Sequence, residues 1–110
     1  MSRAEHVSAR ASIVWHDLSG IRHVIATGEI DLTNAPELAA ALDAPHLMVD
    51  LRRVTFLDST GLAALVQARE SAVSFELTAS RIVRRLLEIT GLLEVLDTAE
   101  DESDPLSAPN

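Results

Sequence analysis

Cysteine is absent from the 110-residue chain. That excludes disulfides, thiolate nucleophiles and the common zinc ligand sets. Lysine is absent too, so all nine basic residues are arginines, set against seventeen acids. The resulting net charge of -8 repels phosphate backbones and disfavours nucleic acid as a partner. Anionic membrane surfaces are disfavoured on the same ground. Aromatics make up only 3% of the residues (Trp15, Phe56 and Phe75), so the core has to be built from Leu, Val, Ile and Ala. None of the four glycines is adjacent to another, and no loop resembles a phosphate cradle. No stretch approaches the ~18 apolar residues of a membrane span. The opening "MSRAEHVSARAS" lacks the apolar run of a secretory signal. The expectation is a cytoplasmic protein without membrane insertion.

What is present is enough apolar material, 47%, for one core and one domain. Residues 1–10 are polar and are expected to be a flexible N-terminus. "SIVWHD" and "IRHVIATGEIDL" read as two strands joined at "LSG". "TNAPELAAALDA" reads as a helix, with Asn34 as its cap, Pro36 in its first turn and Glu37 at a capping-box spacing. Leu38 and Leu42 share its inner face, and Pro45 stops it. "HLMVDL" is short and continuously apolar, as a strand buried on both faces would be, with "RRVTF" as a connector. From Ser59 the pattern becomes helical, with Leu62, Leu65, Val66 and Arg69 on one side. "SFELTA" is a further strand. "SRIVRRLLEITGL" is a second amphipathic helix, capped by Ser80, closed at Gly91, with Ile82, Val83, Leu86 and Ile89 inward. "LLEVLD" reads as a last short strand. Strands alternating with helices mean an α/β layer, with helices on a largely parallel sheet and an antiparallel pair at its start. The domain is expected over residues 11–98, followed by an acidic flexible tail, 99–110.

Catalytic groupings are sparse. Nucleophilic hydrolysis needs a base beside the nucleophile and a third group to orient it, but His6, His16, His23 and His46 form no such pattern. Scattered histidines on strand edges do not make a metal site, so no metal and no cofactor are expected. Glu29 and Asp31 fit a strand end and turn better than acid–base chemistry. One stretch has two readings. In "FLDSTGL", Asp58 or Ser59 can cap the helix that follows, and Gly61 lets it approach the sheet closely. The same geometry holds a hydroxyl at the surface beside a helix N-terminus that tolerates negative charge. A phosphoryl group there would add roughly -1.5 to -2 charge and act as a switch on binding.

Three blocks, "GEIDLTNAPEL", "LMVDLRRVTFLDSTGL" and "SRIVRRLLEITGL", in this order, resemble the STAS-domain anti-sigma-factor antagonists of bacteria over roughly residues 12 to 97. The resemblance implies an α/β fold with a small mixed sheet of four to five strands flanked by helices. It also implies binding in place of catalysis. The unphosphorylated antagonist docks on an anti-sigma factor with a serine kinase fold and so frees the sigma factor. Phosphorylation by that kinase ends docking, and a serine phosphatase reverses it. Carried across by residue, Ser59 is the phosphoacceptor and Asp58 the acid before it. Thr60, Gly61 and Leu62 follow in the motif, and Glu29 and Asp31 join them in the docking surface. Two departures stand out. "ARESAVSFEL" lacks the family's Gly-Gly turn and is about one helical turn, ~4 residues, shorter. "TAEDESDPLSAPN" lacks a helical pattern, so the family's final helix is expected to be shortened or absent. The alternative is a STAS scaffold or accessory subunit, for example of a lipid-transport complex, that works without phosphorylation.

Overall fold

The computed structural model describes residues 2–96 and 98–99. The elements are β1 (Arg3–Val7), β2 (Ala11–Leu18), β3 (Ile21–Ile30), α1 (Ala35–Ala41), β4 (His46–Leu57), α2 (Ser59–Ser71), β5 (Ser74–Ala79), α3 (Arg81–Thr90) and β6 (Thr98–Ala99). The strands lie side by side in chain order. β1, β2 and β3 form an antiparallel meander, and β3 to β6 pair in parallel. Each parallel step crosses over through one helix, always toward the same edge. Crossovers of one hand taken in one direction put their helices on one face of the sheet, and the burial pattern agrees.

On the helix face, Ile13, Val24, Val49 and Leu77 are buried and pack with Leu38, Leu65, Val83 and Leu87 from the three helices. Full burial of each such side chain contributes about 1.5–3 kcal/mol. The opposite face carries no helix among the described residues. Ile25 and Met48, at the middle of that face on the central strands, are 38% and 39% exposed. His16 and His23 face each other across β2 and β3 there, with rings stacked 5.2 Å apart and 4° from parallel.

The α/β class and the mixed sheet are as the sequence implies, and several details differ. The sheet has six strands, not four to five, because β1 and the two-residue β6 extend its edges. Residues 3–7, expected to be loose, pair with β2; backbone hydrogen bonding holds this strand, whose side chains are mostly exposed. "RRVTF" is no connector: β4 runs unbroken to Leu57, with a register shift against β3 that lets both Leu51 and Val54 turn inward. Nor is "HLMVDL" buried on both faces, since only alternate residues point at the helices. In α3, Val83 and Leu87 are buried, but Ile82 and Ile89 are 56% and 72% exposed. "LLEVLD" forms no strand over the described residues: 93–96 are a turn, and the pairing falls at Thr98–Ala99. The acidic tail from residue 100, where a final helix would fall, lies outside the described residues.

Other local expectations hold. Ser19 and Gly20 both have positive φ, 54° and 81°, as a two-residue hairpin turn between right-twisted strands requires. The Ser80 hydroxyl accepts from the Val83 amide at 3.3 Å and donates to the Val54 carbonyl at 2.8 Å, tying α3 to β4. Gly91 closes α3 with φ of 76°. Arg22 braces the hairpin end of the sheet. Its guanidinium lies 3.5 Å from the Trp15 ring centroid, pairs with Asp17 at 2.8 Å, and donates to the carbonyls of Ala41, the last residue of α1, and Asp43 just beyond it.

Candidate functional site

β3 and β4 run parallel and end together, with Ile30 beside Leu57 and Glu29 beside Phe56. This brings two loops, distant in sequence, to one end of the sheet. After β4 the chain turns directly into α2 at Asp58. The Asp58 amide donates to the Ile30 carbonyl at 3.2 Å, joining the two strand ends. The Asp58 carboxylate caps α2 by accepting from the amides of Thr60 and Gly61 at 3.0 and 3.2 Å. The Thr60 hydroxyl also donates to it and is the main cause that holds the Asp58 carboxyl below its ordinary range. The amides of Gly61, Thr60 and Leu32 add to that effect, and desolvation opposes it. The aspartate side chain therefore supplies the cap. Ser59, the first residue of α2, is exposed.

Gly61 is buried. A Cβ there would lie 2.4 Å from Leu57 Cδ1 and 3.1 Å from Ile30 Cγ2. Its place in the motif is explained by the close approach of α2 to the two strand ends. Leu62 is half-buried against the core, and its amide donates to the Asp58 carbonyl at 3.0 Å.

The β3–α1 loop is held as firmly. Asp31 accepts from the Thr33 hydroxyl at 2.6 Å and from the Thr33 amide at 2.9 Å. These bonds, followed by the charge of Arg10, hold the Asp31 carboxyl below its ordinary range. Asn34 differs from expectation, for its side chain makes no cap bond to α1. Buried, it accepts from the Asp31 amide at 3.0 Å and donates to the Glu29 carbonyl at 2.9 Å. Glu37 completes no capping box, because the Asn34 amide donates to Asp31 instead.

The structure thus brings Glu29, Asp31, Asp58, Ser59 and Thr60 to one end of the sheet, with Gly61 and Leu62 beneath them. Sequence reasoning missed four neighbours. Arg10 pairs with Asp31 and lies 3.6 Å from Glu29. Its sequence context gives no hint of this, because the contact depends on the β2–β3 pairing. Asn34 reads from the sequence only as a helix cap, because the forward Asx turn in "DLTN" is made by Asp31 to the Thr33 amide, while the Asn34 side chain reaches back to Asp31 and Glu29. Leu32 and Phe56 are 70% and 48% exposed; large apolar groups left uncovered beside a polar motif were their signal. Among the described residues no cluster of three His, Asp or Glu is arranged to hold a metal. No described helix is long and apolar enough to cross a membrane.

A family model described as "Mlab, STAS domain" matches residues 17–97. The chain belongs to the STAS family. Two proteins named anti-sigma-B factor antagonist, from Listeria monocytogenes and Listeria innocua, are each 32% identical to it over 93 residues, covering 74% of this chain and 81% of theirs. A crystal structure of an anti-sigma factor antagonist from Mycobacterium paratuberculosis superimposes with a TM-score of 0.71 at 31% identity, covering 80% of this chain and 84% of that one.

Proposed function

We infer that this STAS domain is an anti-sigma-factor antagonist whose binding is switched by phosphorylation of Ser59. In the unphosphorylated state it docks on an anti-sigma factor of serine-kinase fold and releases a sigma factor. The observation that carries this reading is the exposed hydroxyl of Ser59 at the first position of α2, with the cap supplied by its neighbour Asp58. That division of labour leaves the hydroxyl available for transfer without cost to the helix. The names of the relatives support the antagonist role within this reading. The docking surface comprises Glu29, Asp31, Asp58, Ser59, Thr60 and Leu62, with Leu32 and Phe56 as apolar contacts, Gly61 setting its shape and no nucleic acid involved. The domain acts by binding in the cytoplasm and not as an enzyme, with a serine phosphatase restoring the active state.

The physics of the switch is local. A phosphoryl group adds roughly -1.5 to -2 charge beside the carboxylates of Glu29, Asp31 and Asp58. The helix N-terminus tolerates that anion, so the domain stays folded while a partner must desolvate it. A penalty of about 2.7 kcal/mol weakens binding roughly a hundredfold. The test compares wild type, Ser59→Ala and protein phosphorylated at Ser59 for binding to a kinase-fold anti-sigma factor. Wild type and Ser59→Ala should bind alike, and the phosphorylated form about a hundredfold more weakly; equal binding by all three overturns the switch. The description "Mlab" in the matching family favours, as a second reading, an accessory subunit that is never phosphorylated. Mass spectrometry after incubation with ATP and the kinase separates the two, since the accessory subunit stays unmodified at Ser59.

A further inference from the structure

Because β1 and β6 are the sheet's edges, one side of β1 has no neighbouring strand among the described residues. Its alternation can be read from its two ends. The Ser2 carbonyl accepts from the Asp17 amide at 2.8 Å, and the Ser8 amide donates to the Ala11 carbonyl at 2.8 Å. Antiparallel ladders turn both backbone groups of alternate residues toward the same neighbour. Even-numbered residues of β1 therefore address β2, and Arg3, Glu5 and Val7 aim their N–H and C=O groups outward. Such a row templates a further strand unless something blocks it. β1 has no proline, and its two charges are of opposite sign.

We propose that the free edge of β1 is a self-association surface on which a second copy of this chain pairs antiparallel, joining the two six-stranded sheets across a two-fold axis through Ala4. Facing residues in a sheet share a face, so a symmetric antiparallel pairing must centre on a residue. The candidates within β1 are Ala4, Glu5 and His6. Centring on Glu5 sets the two Glu5 carboxylates opposite each other, which is destabilising. Centring on His6 sets Glu5 against the partner's Val7 and leaves both acids uncompensated. Centring on Ala4 sets Arg3 opposite the partner's Glu5, twice by symmetry. Because Arg3 and Glu5 are the residues with outward backbone groups, those two pairs also exchange the ladder hydrogen bonds. Ala4 is then a close, non-hydrogen-bonded pair in which a methyl group fits easily. Charge complementarity thus selects both the occupant and the register. β2 and β3 separate this edge from β4 and the α2 N-terminus, so the pairing leaves both Ser59 sites accessible. It stands independently of the phosphorylation reading.

Sedimentation equilibrium at about 0.15 M salt, over roughly 10 µM to 1 mM protein, tests the proposal. Wild type should show a concentration-dependent dimer. Glu5→Arg, which sets like charges opposite each other in both pairs, should weaken it about tenfold, and the exchange Arg3→Glu with Glu5→Arg should restore it. The register has its own test in this cysteine-free chain. Non-hydrogen-bonded partners lie about 4.5 Å apart at Cα, within disulfide reach. Ala4→Cys should therefore cross-link readily under mild oxidation, and Val7→Cys should lag well behind. Circular dichroism confirms that each variant is folded, since the altered side chains are exposed. Wild type that stays monomeric throughout, or Glu5→Arg that associates as tightly as wild type, overturns the proposal. Cross-linking of Val7→Cys as fast as Ala4→Cys overturns the register.

Discussion

The work at the α2 N-terminus is divided among single side chains. Asp58 caps, Thr60 steadies the cap, Gly61 sets the distance to the sheet, and Ser59 is left at the surface. Helix punctuation and the proposed switch therefore do not compete in "FLDSTGL", because Asp58 carries the first and the second is proposed for Ser59. Gly61 gives the sharpest residue-scale prediction. Alanine inside a helix normally gains up to about 1 kcal/mol over glycine. Here its Cβ would lie 2.4 Å from a Leu57 methyl in a packed region, and overpacking costs about 1–3 kcal/mol. Gly61→Ala should therefore lower the urea midpoint, whereas a rise would mean that Leu57 yields without cost.

Among the elements, α3 shows how far the pattern alone could be read. Its start at Ser80, its end at Gly91 and its amphipathic character were all legible, because caps and left-handed glycines are local chemistry. The inner face differs from the pattern's expectation. Ile82, Val83, Leu86 and Ile89 satisfy a helical period, but the stripe that meets the sheet is centred on Val83 and Leu87. Only the packing against β4 and β5 decides which apolar stripe turns inward. Val83→Ala and Leu87→Ala should each cost a few kcal/mol (Leu→Ala about 2–5), while Ile82→Ala and Ile89→Ala should change chemical stability by about 0.5 kcal/mol or less. Equal losses at all four would contradict the described orientation. β1 and the second half of β4 were illegible for a related reason. Arg3, Glu5, Arg52 and Arg53 break any apolar alternation, and both stretches are strands because a neighbouring strand supplies their hydrogen bonds. Within the site the motif residues were readable; Arg10 was not, since its partners lie across two strands.

For the molecule as a whole, three carboxylates held below their ordinary range, Asp17 beside Arg22, Asp31 and Asp58, set the direction of acid sensitivity. The unfolded chain binds protons at these positions at higher pH than the folded one does. Their contribution is complete above the unfolded carboxylate value of about 4 and is lost as pH falls through the lowered folded values. Urea midpoints should thus decline below about pH 4. Asp58→Asn, which keeps a capping oxygen, should make that decline shallower; an unchanged slope would remove Asp58 from the account. The one-sided architecture also has a spectroscopic consequence. The chain's single tryptophan, with no tyrosine beside it, lies under Arg22 at the hairpin end of the sheet. Its strand neighbour Val24 is six residues along β3 from Ile30, which at ~3.3 Å per residue is roughly 20 Å from the Ser59 end. Intrinsic fluorescence will therefore follow unfolding of the β2–β3 hairpin and stay dark to the docking proposed at the far end, so a test of occupancy there needs an emitter placed beside Leu32 or Phe56.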